Sequence, residues 1–198
     1  MKQKSYLYKL VLFALFAAIV VVLQVVSSYV KFGPFSITLT LIPLVVGGML
    51  LGPAYGGLFG GLFGLVVFLF CVNGVDVGGA ILVGINPLYT ALICLIKGIA
   101  AGLVPALVYR ALRKVNFYFA AILGTILAPV VNTGLFLIGM FTFFKDTLIA
   151  WAGGEDLFLY VVTGLVGINF LVELATVIVL SPAILRILQI STKNRLPD

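Results

Sequence analysis

Long apolar stretches alternate with short polar or Gly-Pro breaks along almost the whole chain. The clearest break lies in Phe32–Gly64, where an uncharged run from Ile37 to Leu51 ends at Gly52-Pro53 and a Gly-rich apolar run follows. Uncharged apolar stretches are favourable in a bilayer, and small residues allow helix backbones to approach closely. The segment therefore predicts two antiparallel membrane helices joined by a tight turn, around which the rest of the chain is organised.

The same pattern predicts six membrane helices, since a span needs about 20 apolar residues. The predicted helices are Leu10–Ser28, Ile37–Leu51, Ala54–Cys71, Asn86–Tyr109, Phe117–Phe144 and Leu157–Leu185. Val72–Gly84 is interpreted as a Gly-rich loop and Lys145–Asp156 as a polar loop. The first apolar run follows a basic start, as in a signal peptide, but it is long enough for a span and lacks a clear small-residue cleavage site. Residues 1–198 are expected to form a single six-helix membrane domain.

Composition places these helices in a membrane. Hydrophobic residues make up 63% of the chain and charged residues 9%, and the mean hydropathy is +1.31. Soluble proteins contain about 45–50% apolar and about 25% charged residues. The sequence therefore predicts an all-α integral membrane bundle in a lipid bilayer.

The distribution of basic residues predicts the orientation of the bundle. With the N-terminus inside, nine of the twelve Lys and Arg residues lie on the cytoplasmic side, as membrane proteins favour. These are Lys2, Lys4, Lys9, Arg110, Arg113, Lys114, Arg186, Lys193 and Arg195. Six helices then place both the N- and C-termini in the cytoplasm. The net charge of +6 follows this topology and does not indicate nucleic acid binding.

The residue types that enzymes and metal sites need are scarce. The chain has no His, and its two cysteines, Cys71 and Cys94, lie in separate apolar segments without CxxC spacing. Imidazole catalysis, a zinc site and a disulfide framework therefore have little support, and both cysteines are interpreted as small buried hydrophobic residues. The sequence contains neither a GxxxxGK[ST] nucleotide loop nor an HExxH motif. We expect no enzyme activity, no cofactor and no metal.

Polar residues recur at helical spacing inside three consecutive predicted helices. Polar side chains are costly in a bilayer, which makes them functional candidates. Residues four or seven apart share a helix face. The polar residues at such spacing are Asn86, Thr90 and Lys97 in the fourth helix, Thr125 and Asn132 with its neighbour Thr133 in the fifth, and Asn169, Glu173 and Thr176 in the sixth. The three polar faces predict a hydrated pocket for a small polar solute, reached from the outer side.

A structural interpretation of the same residues remains open. Asn and Thr side chains join membrane helices for about 0.6–2 kcal/mol each without binding a ligand. Lys97 and Glu173 both lie near mid-membrane, where they either neutralise one another as an ion pair or contact the solute. The coincidence of three polar faces favours the pocket.

Two further features are candidates for contacts with a solute or a partner. The loop SYVKFGPFS carries Tyr29, Phe32 and Phe35 around a Gly-Pro turn, which is typical either of an aromatic lid or of membrane-interface anchors. In the first helix, Ala14 and Ala18 form an AxxxA pattern, which allows another helix to pack closely.

The six helices, the AxxxA pattern and the aromatic loop together resemble the substrate-binding S component of an energy-coupling factor (ECF) vitamin transporter. The resemblance covers essentially the whole chain and includes the segment ITLTLIPLVVGGMLLGPAYGGLFG. The segments INPLYTALICLIKGIAAGLV and APVVNTGLFLIGMFTFF are most similar to members assigned to pantothenate.

The resemblance implies a function and a set of partners. An S component binds a water-soluble vitamin with high affinity at the outer face of the bacterial cytoplasmic membrane, through its first outer loop and helices 4 to 6, and has no ATPase of its own. It docks on a membrane coupling protein of the EcfT type that carries two cytoplasmic ATPases, and it topples to deliver the vitamin inward. Ala14 and Ala18 would be the docking contacts.

Substrate-binding residues are not transferred by any fixed motif of that family, and those predicted here follow from the polar faces and the aromatic loop. They are Asn86, Thr90, Lys97, Asn132, Thr133, Asn169, Glu173 and Phe35. Lys97 is the candidate cation for the carboxylate of pantothenate.

Other functions remain compatible with these residues. An S component for cobalamin, niacin or riboflavin would share the fold. A stand-alone secondary transporter would use Lys97 and Glu173 to couple uptake to an ion gradient. A membrane-embedded enzyme or assembly factor is disfavoured because the sequence shows no nucleophile–base or metal set, and Glu173 is its one candidate general base. Co-purification with a coupling protein and two ATPases would separate the S component from the last two.

Overall fold

A computed structural model of the chain describes the backbone of residues 2–29, 31–32, 35–36, 39–165 and 167–193, and the side chains of residues 7–29, 39–165, 167 and 169–190. Most of these residues are helical. The helices are α1 (Lys2–Ser28), α2 (Leu41–Leu51), α3 (Pro53–Val72), α4 (Val77–Ile85), α5 (Pro87–Leu112), α6 (Phe117–Phe143), α7 (Lys145–Ala152), α8 (Leu157–Tyr160) and α9 (Gly167–Lys193). A π-helical turn (Val161–Leu165) follows α8, and strands β1 (Lys31–Phe32) and β2 (Phe35–Ser36) pair antiparallel.

Among the described residues, five helical segments are long and apolar enough to cross a membrane. They are Leu7–Ser28, Pro53–Val72, Pro87–Leu112, Phe117–Phe143 and Asn169–Ile190. The pair Lys145–Ala152 and Leu157–Leu165, bent by 91°, is long enough only when its two parts are taken together. Helix α2 has 11 residues, or about 16 Å, against a hydrocarbon core of about 30 Å. The predicted helical membrane fold is confirmed, and the described part of the chain supplies five candidate spans, or six if the bent pair is one.

The central pair of helices is joined as its sequence indicates. Helix α2 ends at Leu51 and α3 begins at Pro53, so the predicted tight turn is confirmed. Gly52 adopts a φ of +113°, which is a conformation that other residues rarely take. Helix α2 begins at Leu41, whereas the predicted start at Ile37 lies outside the described residues.

The prediction of a loop over Val72–Gly84 is wrong, because Val77–Ile85 forms α4. The carboxylate of Asp76 caps this helix by accepting a hydrogen bond of 2.7 Å from the backbone N–H of Gly79. A Cβ atom at Gly79 would overlap Sγ of Cys71, so the glycine lets α4 pack against α3. This packing outweighs the low helix propensity of glycine.

The interpretation of Lys145–Asp156 as a polar loop is also wrong. Lys145–Ala152 forms α7, a helix that buries Leu148 and Ala152. It ends at Gly153, whose φ of +59° is left-handed. Burial of these apolar side chains stabilises a helix that the polar composition of the segment does not indicate.

The predicted continuous helix Leu157–Leu185 is divided into α8, the π-helical turn and α9. The side chain of Asp156 caps α8 by accepting a hydrogen bond of 2.9 Å from the N–H of Leu159. Gly164 and Gly167 lie close to the change in helix type, where glycine lowers the stability of a regular α-helix.

The centre of the bundle is the close contact between α3 and α5. A Cβ atom at Gly56 would overlap the carbonyl oxygen of Gly102, and one at Gly60 would overlap that of Gly98. Because the contact moves back along α5 as it moves forward along α3, the two helices are antiparallel. The prediction that small residues allow close backbone approach is confirmed.

Helix α1 packs against this centre with one face only. The rings of Phe13 on α1 and Phe59 on α3 stack with centroids 5.0 Å apart, and Val20 is fully buried. Ala14 and Ala18 lie on a different face of α1, and both are exposed. The helix therefore has a packed side and an accessible side with small residues.

Candidate solute-binding site

A cavity of about 80 Å³ lies between α1, α3, α4, α5, α6 and α9. Its polar and charged lining residues are Gln24, Asp76, Thr90, Lys97, Asn132, Thr133, Asn169 and Glu173. The remaining lining residues are Phe63, Val67, Cys71, Gly79, Leu82, Ile93, Cys94, Phe136 and Leu165. This volume has room for several water molecules. A lining of both kinds suits a small solute that is partly polar and partly apolar.

Six of the eight predicted substrate-binding residues line this cavity. They are Thr90 and Lys97 from α5, Asn132 and Thr133 from α6, and Asn169 and Glu173 from α9. The polar faces converge because α6 packs against both α5 and α9. The structure therefore brings the three faces together, while their role in binding a solute stays a prediction.

The other two predicted residues are not part of this lining. Asn86 caps α5, since its Oδ1 accepts a hydrogen bond of 3.1 Å from the N–H of Tyr89. The carbonyl oxygen of Asn86 also accepts a hydrogen bond of 2.9 Å from Oγ1 of Thr90. These contacts give Asn86 a structural role at the helix start. The side chain of Phe35 lies outside the described residues.

Lys97 contacts an aromatic ring of α6. Its Nζ atom lies 5.1 Å from the centroid of the Phe136 ring. Among the described residues, Lys97 makes no ion pair, so the structure does not show it as half of a structural pair with Glu173. A cation over an aromatic face gains about 0.5–2 kcal/mol. The ammonium thus lines the cavity in a position where it can attract an anionic group.

Asn132 is a buried side-chain amide in the cavity wall. It is 5% exposed and lines the cavity. Within the described part of the chain, its Oδ1 atom has no hydrogen-bond partner. A buried acceptor without a partner costs about 1–3 kcal/mol. Asn132 therefore has an acceptor available for a donor group of a solute.

Gln24 is a lining residue that the sequence reasoning did not include in the site. It is 4% exposed, and its Oε1 accepts a hydrogen bond of 2.9 Å from Oγ1 of Thr40. Its Nε2 lies 3.4 Å from Oγ of Ser28. The signal was visible in the sequence, because Gln24 is the one polar residue within an otherwise apolar run. Helix α1 therefore contributes to the cavity as well as α5, α6 and α9.

Asp76 and the two cysteines also line the cavity without having been predicted there. Asp76 reaches it because it caps α4, the helix that was read as a loop. Cys71 and Cys94 reach it from α3 and α5. Their positions depend on how the helices pack, and no local pattern in the sequence marks them.

Comparison with known proteins gives a consistent assignment. The sequence model of the family "ECF transporter, substrate-specific component" matches residues 8–185. The chain is also 28% identical, over 204 aligned positions, to the pantothenic acid transporter PanT of Lactococcus lactis subsp. cremoris strain MG1363. That alignment covers 97% of this chain and 99% of the relative.

The family match spans nearly all of the cavity-lining and membrane-spanning segments described above. The resemblance seen in the sequence is thereby confirmed. The chain belongs to the family of substrate-specific components of ECF transporters, and it is a multi-pass protein of the bacterial cytoplasmic membrane.

Proposed function

We propose that this chain is the high-affinity pantothenate-binding S component of an ECF-type importer. The observation that carries the proposal is the similarity to the Lactococcus lactis pantothenic acid transporter over 97% of the chain. The cavity supports it, because polar residues from three helices meet there beside apolar ones. The protein would bind the vitamin at the outer face and release it inward.

The chemistry of pantothenate fits the cavity lining. The vitamin carries a carboxylate, two hydroxyl groups, an amide and two methyl groups on one carbon. Lys97 is the residue for the carboxylate, since it is a cation without an ion pair among the described residues. Asn132 and Thr133 also line the cavity and are the residues proposed for the amide and hydroxyl groups, while Leu82 and Ile93 would offer apolar surface to the methyl groups.

We further propose that both chain termini face the cytoplasm. The ring centroids of Phe13 on α1 and Tyr55 on α3 are 5.7 Å apart, and those of Phe16 and Phe59 are 6.1 Å apart. The contact therefore advances in the same direction along both helices, which begin at the same end of the bundle. Helix α5 ends there too, because it is antiparallel to α3. Gln189 near the end of α9 donates a hydrogen bond of 3.0 Å to the hydroxyl of Tyr118 at the start of α6.

This end of the bundle therefore collects basic groups that lie in the end regions of the helices or in the turn between α5 and α6. They include Lys9, Arg110, Arg113, Lys114 and Arg186. Membrane proteins retain such clusters in the cytoplasm. The cavity, with Asp76 at the turn before α4, lies towards the opposite end. This supports solute entry from the outside.

Transport would require an energy-coupling module, which this chain would contact through α1. Members of the family work with a membrane coupling protein of the EcfT type and two ATPases. Ala14 and Ala18 are exposed one turn apart, so another helix can pack closely there. We propose this face of α1 as the docking surface for the coupling protein.

The test is mass spectrometry of small molecules released from the protein after purification in mild detergent from rich medium. We expect pantothenate at close to one molecule per chain, and a rise in melting temperature when pantothenate is added to ligand-free protein. A different vitamin would replace pantothenate in the proposal. Repeated absence of any vitamin, with no thermal shift across a panel of B vitamins, would overturn it. Uptake by this chain alone into ATP-free vesicles would instead indicate a secondary transporter.

A further inference from the structure

Gln24 is the polar side chain that helix α1 contributes to the cavity. It is buried and belongs to the lining, although α1 packs mainly against α2 and α3. Among the described residues of α1, no other one borders the cavity. A polar amide inside a membrane bundle is costly unless its hydrogen bonds are satisfied. The partners of this amide therefore decide whether Gln24 serves helix packing alone.

The contacts of the Gln24 amide use only part of its hydrogen-bonding capacity. A glutamine side chain has two N–H donors and an oxygen that can accept two hydrogen bonds. Oε1 accepts one bond of 2.9 Å from Oγ1 of Thr40, and Nε2 lies 3.4 Å from Oγ of Ser28. Within the described part of the chain, neither atom has a further partner. One N–H group and one acceptor position therefore remain for a group inside the cavity.

The packing of α1 on α3 places Gln24 at the depth of the cavity. The rings of Phe16 on α1 and Phe59 on α3 have centroids 6.1 Å apart, and the two helices run parallel. Gln24 and Val67 each lie eight residues farther along their helices, or about 12 Å closer to the outer end. Val67 also lines the cavity. The two side chains thus form the wall that α1 and α3 share.

The ammonium of Lys97 lies on a different wall. Its Nζ atom is 5.1 Å from the centroid of the Phe136 ring on α6. Helix α6 packs mainly against α5 and α9, whereas α1 packs mainly against α3 and α2. A solute whose carboxylate binds Lys97 beside Phe136 therefore directs its other end towards the wall that contains Gln24.

We propose that Gln24 is a specificity-determining residue, whose amide binds the primary hydroxyl group at the end of the solute remote from the carboxylate. The inference rests on the proposed function, since pantothenate carries its carboxylate at one end and a primary hydroxyl at the other. Asn132 and Thr133 then serve the amide and the secondary hydroxyl between these ends. A site that hydrogen-bonds a hydroxyl discriminates against an analogue lacking it, because its own polar group is left unpaired.

The experiment measures, by calorimetry on the full-length protein in mild detergent, the Kd of pantothenate and of an analogue in which hydrogen replaces the primary hydroxyl. We expect wild-type protein to bind the analogue at least tenfold more weakly than pantothenate. Gln24→Met should bind both ligands with Kd values within about threefold of each other, because the donor is gone. A purely structural role would weaken both ligands equally and leave their ratio unchanged.

Thr40→Val is the matched control, because it removes the same bond between α1 and α2 but keeps the Gln24 amide. This variant should retain the preference of at least tenfold for pantothenate. An unchanged ratio in Gln24→Met, or the absence of any preference in the wild-type protein, would overturn the proposal. If the wild-type protein bound neither ligand, the proposed function would fall together with it, so the two failures are distinguishable.

A second measurement keeps Gln24 in place. The chain has three glutamines, Gln3, Gln24 and Gln189, so the side-chain amide signals of protein labelled with [15N]glutamine can be assigned with Gln3→Ala and Gln189→Ala. The Gln24 N–H signals should differ between the pantothenate complex and the complex with the analogue. Identical Gln24 signals in the two complexes would also overturn the proposal.

Discussion

Oγ1 of Thr40, at the start of α2, donates a hydrogen bond of 2.9 Å to Oε1 of Gln24 on α1. Thr40 is fully buried, and its side chain does not cap its own helix. Its hydroxyl instead points towards α1. Gln24 also lines the cavity. Helix α1 therefore has two different faces: one exposes Ala14 and Ala18, and the other borders the cavity through Gln24.

Replacing Gln24 with Met keeps the volume of the side chain but removes its hydrogen bonds. We expect the free energy of unfolding to fall by about 0.6–2 kcal/mol, as for other polar contacts between membrane helices. Thr40→Val should cost a similar amount. In the double variant the loss should be smaller than the sum of the two, because both substitutions remove the same bond. Strictly additive losses in thermal or chemical unfolding would contradict the contact.

Lys97→Met tests the cation of the proposed site. We expect the dissociation constant for pantothenate, measured by calorimetry, to rise at least tenfold, because the carboxylate loses its positive partner. Lys145→Met is the matched control, because this substitution removes the same charge from an exposed position on α7. Equal affinities for wild-type protein and Lys97→Met would exclude Lys97 as the carboxylate partner.

Gly60→Ala tests the contact between α3 and α5. The added methyl group would overlap the carbonyl oxygen of Gly98, and overpacking of this kind costs about 1–3 kcal/mol. We expect a lower melting temperature and less monodisperse protein. Gly57→Ala on the same helix is the control, because its Cβ would meet its nearest neighbour at 3.9 Å. Alanine raises helix propensity at both positions, so a similar loss in both variants would show that the contact with Gly98 is not responsible.

Ala14→Trp tests the docking surface on α1. The large side chain should prevent co-purification with the coupling protein and the ATPases, while binding of pantothenate to the isolated chain stays within twofold of wild type. Ile138→Trp is the control, since Ile138 is 62% exposed on α6. Normal assembly with Ala14→Trp and Ala18→Trp would place the docking surface elsewhere.

The membrane fold and most of the candidate site could be predicted because each depends on local patterns. The hydropathy of a segment follows from its own residues alone, so it indicated the membrane helices. Helical spacing fixes which residues share a face, so Thr90 with Lys97 and Asn169 with Glu173 were grouped correctly. Asn86 lies outside the cavity lining and caps α5, because a residue at a helix start serves as a cap as readily as a ligand.

Helices α4 and α7, and the division of the last predicted helix into α8 and α9, were missed for a different reason. Glycine-rich or polar segments have weak local preferences, so they follow the contacts available to them. Gly79 allows α4 to lie against Cys71, and burial of Leu148 supports α7. Such contacts join segments that the sequence keeps apart.

The sequence by itself determined a helical membrane protein, its tight turn at Gly52 and the polar faces of three helices, because these follow from the order of neighbouring residues. Only the tertiary structure decided that Gln24 borders the same cavity, that Lys97 faces Phe136 and that Cys71 and Cys94 both line the cavity. Those relationships depend on the depth and register at which whole helices pack. That register is set by contacts such as Gly60 against Gly98, between residues distant in the chain.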